Sequence, residues 1–330
     1  MTCDVIIPAF NCTATIDYAL ASIAMQQLPP GDSYRVTIVN DASTDGEDYA
    51  ALAEYWSLMM PVDVINKTIN QGCGQARQTG MDETCGDFIM FVDADDCLVS
   101  PYAIRNLMYS MEGYDLVMGQ FVEETSGGIA KHELNYTWCH GKMYRRSFIQ
   151  EHDLRFNMTR GNEDAGFNSL ISKLTDKILY IPQIVYSWNN NTESTVRKDS
   201  TGYRCGYGWR DFIENISWSA EEQMKRGVKG DVTRDFVCDM IGRFFFQYAE
   251  SYVRLPEERE ANEAKLKEFY RRVVRPFVVM GQLTYADAQR SYYKSAPMDS
   301  GLAIPQFTYK EFLTKIGLIK DVKKYGNNGN

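Results

Sequence analysis

The chain has 330 residues, 44% of them hydrophobic and 24% charged, which suits a full catalytic domain with a smaller second domain. Its formal net charge of −9 argues against broad, charge-driven binding to nucleic acid or anionic membranes. No stretch approaches the ~20 apolar residues of a membrane-spanning helix. Met1 runs within two residues into a predicted strand, and the eight cysteines form no C-x-x-C pair, so the expectation is a cytoplasmic protein with free thiols, no signal peptide and no zinc site.

From residue 3 to about 121, short β-rich runs alternate with helical ones. Strands are predicted at Cys3–Pro8, Tyr34–Asn40, Pro61–Ile65, Asp87–Val92 and Asp115–Phe121, and helices at Thr13–Gln26, Glu47–Ser57, Gly74–Thr84 and Pro101–Met111. Such alternation predicts an α/β fold: an open, mostly parallel sheet with helices on both faces. Ser126-Gly127-Gly128 marks a loop. Residues 130 to 200 then read as mixed, with helices near Arg145–Glu151 and Asp164–Leu174 and strands at Ile178–Tyr180 and Ile184–Trp188. Beyond Thr201 the pattern turns helical, most clearly at Phe236–Tyr252 and Glu257–Val274, and residues 325–330 read as a frayed tail. The expected division is a catalytic domain at 1–200 and a helical domain at 201–330.

Ligands bind outside the carboxyl ends of the strands in open α/β sheets. Three polar loops are predicted there: Pro8-Ala9-Phe10-Asn11, Asn40-Asp41-Ala42-Ser43 and Asp93-Ala94-Asp95-Asp96. Clustered carboxylates repel one another and are costly to desolvate, so a bound cation or ligand explains their retention. Strand alternation lets Asp93 and Asp95 face one side with Ala94 on the other, and oxygen ligands of this kind hold Mg²⁺ or Mn²⁺. Taken alone, the same run also fits an acidic turn. Asp41, at a strand end, is placed to accept a hydrogen bond from a ligand. Asn70-Gln71-Gly72 opens a helix in which Arg77, one turn in, reads either as a fixed cation or as a solvated arginine. Glu163-Asp164 at a helix start fits the helix dipole by default, or a general base at Asp164. His140 and Lys142 lie in one short run, and Trp138, Trp188 and Trp209 read as core or as sugar-stacking rings.

In order and spacing, Val5-Ile6-Ile7-Pro8-Ala9-Phe10-Asn11, Val39–Asp45, Asn70-Gln71-Gly72 with Ala76-Arg77-Gln78, Phe91–Asp96, Lys142–Arg146 and Glu163-Asp164 resemble family 2 glycosyltransferases of the GT-A fold, over about residues 3 to 200. The resemblance implies a Rossmann-like nucleotide-diphospho-sugar transferase, a hexosyltransferase that inverts the anomeric carbon of a nucleotide-sugar donor, most simply a UDP-sugar. It implies that Pro8, Ala9, Phe10, Asn11, Asp41, Asn70, Arg77, Asp93 and Ala94 face the donor, with Asp41 reading the base edge. Asp95, with Asp93, would ligate Mn²⁺ or Mg²⁺, and Asp164 would deprotonate the acceptor. Glu163, His140, Lys142 and Trp188 are the acceptor-side candidates.

Three positions depart from the family pattern: Asn40 where an acidic residue is common, Ala42 where glycine is usual, and Gln78 where asparagine often follows the arginine. No Q-x-x-R-W run of processive synthases is present, which favours single transfers. Glycan, lipid-linked, protein and modified-nucleobase acceptors all remain open. Basic and aromatic residues beyond Thr201, such as Arg204, Trp209, Arg210, Arg243 and Arg271–Arg275, read as an acceptor cap or a homo-oligomer interface. The competing class is a non-catalytic nucleotide-sugar or carbohydrate-binding protein, which would need no base at Asp164.

Overall fold

The computed structural model describes residues 1–295 and 308–325. The chain forms two compact units, Met1–Thr192 and Glu193–Asn330.

The first unit is built on a mixed sheet covered by helices. Its elements in chain order are β1 (Thr2–Ala9), α1 (Ile16–Ala24), β2 (Ser33–Asn40), α2 (Tyr49–Ser57), β3 (Val62–Asn66), α3 (Cys73–Asp82), β4 (Phe88–Phe91), β5 (Cys97–Leu98), α4 (Ala103–Tyr109), β6 (Leu116–Thr125), β7 (Gly128–His132), β8 (Lys142–Arg145), α5 (Arg146–Glu151), α6 (Glu163–Leu174) and β9 (Ile178–Trp188). The strand order is β3-β2-β1-β4-β8-β6-β9-β5, with β7 beside β6. β1 through β4 run parallel. β8 is antiparallel to both of its neighbours, β4 and β6, while β9 returns parallel to β6.

Local sequence explains most of these elements. β1 is buried from Cys3 to Ala9 without alternation, as a central strand covered on both faces must be. α1 buries Ile16, Ala19, Leu20 and Ile23, a helical stripe facing the sheet. α2 starts at Tyr49 because the Asp48 carboxylate accepts from the amides of Ala50 and Ala51, so Glu47 stays outside the helix. The indole of Trp56 in α2 donates to Asp17 of α1 at 2.9 Å.

The later part of the sheet carries strands that the sequence did not announce. β5 spans two residues and β8 four, and their pairing partners are distant in the chain. Short strands defined by long-range ladders leave little local periodicity. The Ser126–Gly128 loop is the turn of the β6–β7 hairpin, with Gly128 at φ +125°. The two predicted strands at 178–180 and 184–188 are one strand, β9, irregular where Pro182 removes a ladder donor; Met118 pairs Tyr180 and Gln120 pairs Ile184.

The second unit is helical across its described residues. Its long helices are Tyr207–Lys225, Gly230–Arg254 and Arg259–Phe269, followed by a π turn at Tyr270–Val274 and the helices Tyr285–Ser295, Tyr309–Ile316 and Leu318–Tyr325. Phe244, Phe245, Tyr248, Leu266, Phe269 and Phe312 form its buried centre. Trp209 is buried there too, stacked on Tyr248 with 6.2 Å between centroids, which is a packing role rather than a sugar-stacking one. Arg210 pairs with Glu258 at 2.5 Å, and Arg272 pairs with Glu214, Glu221 and Glu268 at 2.7–3.0 Å, so both spend their charge inside the unit. Of the predicted tail, Tyr325 ends the last helix and 326–330 lie outside the described residues. No helix among the described residues is long and apolar enough to cross a membrane.

Candidate active site

Every candidate residue lies in the first unit, and strand register brings most of them to one rim. Ala9 pairs Asn40 and Asn40 pairs Asn66, so β1, β2 and β3 end level. Phe91 pairs Ile6, which lets the chain leave β4 at Val92 and place Asp93–Asp96 beside the end of β1.

The loops at this rim hold one another. The amide of Asn11 donates to Ser43 Oγ at 3.0 Å, and Asn11 Oδ1 accepts from the amide of Thr44 at 2.7 Å. Pro8 and Ala9 are buried strand residues, with Ala9 O accepting from the amide of Asp41 at 2.8 Å, whereas Phe10, Asn11 and Asn70 are exposed. Asp41 is buried. Its carboxylate accepts from the amides of Gln71 (3.0 Å) and Gly72 (2.7 Å) and pairs with Lys67 Nζ at 2.5 Å. Asp41 therefore anchors the loop that leads into α3, and Lys67, which sequence reading did not single out, neutralises it. Asn40 donates to Asn66 and accepts from Ser43, a neutral arrangement that accounts for asparagine at this position.

Arg77 is the hub of the site. Buried at 3% exposure, it ion-pairs with Asp93 Oδ1 and with Glu163 Oε1, each at 2.6 Å. Its guanidinium also sits 5.9 and 6.0 Å from the ring centres of Phe91 and Phe156. The solvated-arginine alternative does not hold, and neither does an uncommitted cation: both arms are already engaged by carboxylates. Burial of this kind is retained because removing one partner strands the others. Gly74 allows it, since a Cβ there would meet Glu163 Cγ at 2.4 Å. Glu163 thus faces Arg77 and α3.

The acidic run divides its labour. Asp93 Oδ2 lies 3.5 Å from His140 Nε2, and Asp96 Oδ2 lies 3.8 Å from the same nitrogen. Ligand atoms of Asp93, Asp96 and His140 all fall within 4.8 Å of one another. Asp95 Oδ2 accepts from Asn191 Nδ2 at 2.8 Å, and buried Ala94 packs into the core. β5 positions Asp96. Its pairing of Leu98 with Tyr186 draws β9 alongside, so that Tyr186 donates to Asp96 at 2.6 Å and the amide of Asn189 donates to the other oxygen at 2.9 Å.

His140 stacks on Tyr186 at 4.9 Å and meets Trp188 at 5.4 Å, within an aromatic group that includes Trp138 and Phe121. Burial holds the imidazole pKa below its ordinary value, so it is neutral at pH 7, the form that ligates metals. Its Nδ1 is buried and has no hydrogen-bond partner among the described residues. Two carboxylates and an imidazole make a donor set that could hold a divalent metal ion.

Asp164 opens α6, with Oδ1 accepting from the amide of Ala165 at 2.8 Å. Burial, then the charge of Glu163, raise its carboxyl to about 7. Asp93 goes the opposite way, held well below the carboxylate range by the Arg77 guanidinium and His140 despite its burial. Lys142 is buried at the start of β8, where Nζ donates to the carbonyl of Trp138 and burial lowers its pKa to about 8.

Residues 4–161 match the family described as glycosyl transferase family 2. The matched stretch, just under half of the chain, has the sequence of a family 2 glycosyltransferase domain. Among relatives of this family, the chain is 26% identical to "Putative glycosyltransferase EpsH" of Bacillus subtilis over 58% of this chain and 62% of the relative. It is 27% identical to "Poly(ribitol-phosphate) beta-glucosyltransferase" of Bacillus spizizenii, over 47% of this chain and 27% of that one. Thus the chain spans less than two thirds of these relatives' lengths. The crystal structure of S. aureus TarS 1–349 in complex with UDP-GlcNAc superimposes with a TM-score of 0.70 at 18% identity, covering 89% of this chain and 90% of that one. The fold is accordingly GT-A, with a helical region after the glycosyltransferase domain.

Sequence reading did not single out Lys67, which pairs with Asp41, or Tyr186, whose hydroxyl donates to Asp96; each is tied to this rim only by a partner remote in the chain.

Proposed function

We propose that the chain is a metal-assisted, inverting glycosyltransferase that moves a sugar from a UDP-sugar to an acceptor hydroxyl, with Asp164 as general base. One observation carries this reading: a carboxyl whose pKa lies near 7 is held, through Glu163 and Arg77, beside the Asp93–Asp96–His140 set. General bases work best when their pKa lies near the operating pH.

In the proposed reaction the acceptor oxygen forms a bond to the anomeric carbon as the bond from that carbon to the diphosphate oxygen breaks. The acceptor proton passes to Asp164, and the electron pair of the broken bond leaves with UDP. Attack opposite the leaving group inverts the centre. Asp93, Asp96 and His140 would hold a divalent cation, which supplies charge neutralisation for the leaving diphosphate. Arg77 contributes by fixing Asp93 rather than by presenting free charge. Pro8, Ala9, Phe10, Asn11, Asp41 and Asn70 would face the nucleotide, with Asp41 shaping the Gln71-Gly72 backbone. The names of the poly(ribitol-phosphate) transferases among the relatives support transfer of glucose or N-acetylglucosamine to a poly(ribitol-phosphate)-like acceptor.

A thermal-shift screen of UDP-, GDP- and dTDP-sugars with Mn²⁺, paired with a donor-hydrolysis assay, tests the proposal. UDP-GlcNAc or UDP-glucose should raise the melting temperature only with metal, and Asp96→Asn and His140→Ala should each remove that metal-dependent part. Absence of metal-dependent turnover with every common nucleotide sugar would leave the binding-protein reading in its place.

A further inference from the structure

We infer that Asn168 is a positioning residue that sets Asp164 at a fixed place relative to the loop carrying Trp138 and His140; this rests on the transferase reading above. Asn168 sits one helical turn after Asp164 in α6 and is 1% exposed. Its Nδ2 donates to the carbonyl of Asp164 at 3.0 Å and to the carbonyl of Thr137 at 3.0 Å, and lies 3.6 Å from Cys139 Sγ. Its Oδ1 accepts from the hydroxyl of Tyr144, on β8, at 2.8 Å. Carbonyl oxygens only accept, so the amide must turn its NH₂ toward them, and Tyr144 is left as the donor to Oδ1. One side chain thereby joins three segments.

The loop end of this tie is itself built to hold still. Asn135 Oδ1 accepts from the amides of Thr137 (2.8 Å) and Trp138 (2.9 Å). Lys142 Nζ takes the carbonyl of Trp138 while Asn168 takes that of Thr137, so two buried side chains secure consecutive peptides. His140 follows two residues later and faces Asp93 and Asp96. The base and the metal-facing imidazole therefore share one fixed frame, with Asn168 at the join. A buried amide with both its N–H groups and its oxygen engaged is costly to replace, and misplacing a reacting group by about 1 Å can cost on the order of 10²-fold in rate.

The test uses the full chain carrying Asn168→Ala, with Tyr144→Phe as a second variant that keeps its ring packing and loses only the donated hydrogen bond. Expected for Asn168→Ala is a fall of about 10- to 100-fold in kcat for UDP-GlcNAc hydrolysis, where water replaces the acceptor, with Kd for UDP measured without metal unchanged within about twofold. Tyr144→Phe should lower kcat in the same direction by a smaller factor. Hydrogen exchange should quicken in peptides covering 137–141 and 163–168 and stay as in the parent at Thr2–Ala9 and Ser33–Asn40. Parental kcat in both variants, or loosening spread evenly across the sheet, overturns the inference. A parent protein inactive on every UDP-sugar overturns the transferase reading instead, and the exchange pattern still decides whether Asn168 ties the two segments together.

Discussion

Asp164 shows how environment assigns chemistry to an ordinary residue. Its raised pKa means that the folded protein keeps a proton that the unfolded chain releases near pH 4. Between those values the native state binds more protons, so this group costs stability as pH rises toward about 7. Two outcomes should follow. In a pH profile, kcat/KM should climb with pH and level off above about 7. Asp164→Asn should lower turnover roughly 10²- to 10⁴-fold, leave UDP binding intact, and melt higher than the parent at pH 8 while gaining less at pH 5. Ala42 is a second residue-scale case. It departs from the glycine usual in the family and adopts φ +60°, a left-handed conformation that costs a non-glycine residue about 1–2 kcal/mol. Glycine relieves that strain but pays in unfolded-chain entropy. Ala42→Gly should therefore raise the melting temperature by about 1–3 °C, measured calorimetrically.

Among elements, the approach of α3 to the start of α6 controls the site. Gly74 and Glu163 come close enough that one added methyl would overlap Glu163 Cγ, and Glu163 is half of the Arg77 clamp. Gly74→Ala should force the two helices apart, weaken the Arg77–Glu163 pair and destabilise the protein by about 1–3 kcal/mol, read from urea denaturation. Its kcat should fall together with stability, since α6 carries Asp164. The far edge of the site depends on a smaller element. β5 is two residues long, yet its pairing with β9 carries Tyr186 and Asn189 onto Asp96. Helices α1 to α4 were legible because apolar stripes and caps are local. β5 and β8 were not, because their identity lies in a distant ladder.

At the scale of the molecule, two units have separate apolar centres, one on the sheet and one among helices. The candidate site belongs wholly to the first. In scanning calorimetry, UDP with Mn²⁺ should shift the transition of the unit Met1–Thr192 upward and leave that of the second unit in place. Equal shifts in both would mean that the units unfold as one. The sequence located the change to helix near residue 200, whereas the contacts divide the chain after Thr192. Helical periodicity does not become dense until the chain is past that point, which explains the offset.

Sequence alone was enough for the α/β pattern and for three polar loops at the carboxyl ends of parallel strands, which rest on local period and spacing. It left Arg77 and the Glu163-Asp164 pair open between a structural and a catalytic reading, and only the family resemblance favoured the second. Tertiary structure decided which carboxylates act together. It brought Asp96 and His140 beside Asp93, engaged Arg77 in two ion pairs, and raised the carboxyl of Asp164 to about 7. Those outcomes depend on burial and, for Arg77 and Asp96, on partners 16 to 90 residues away, which the local sequence does not specify.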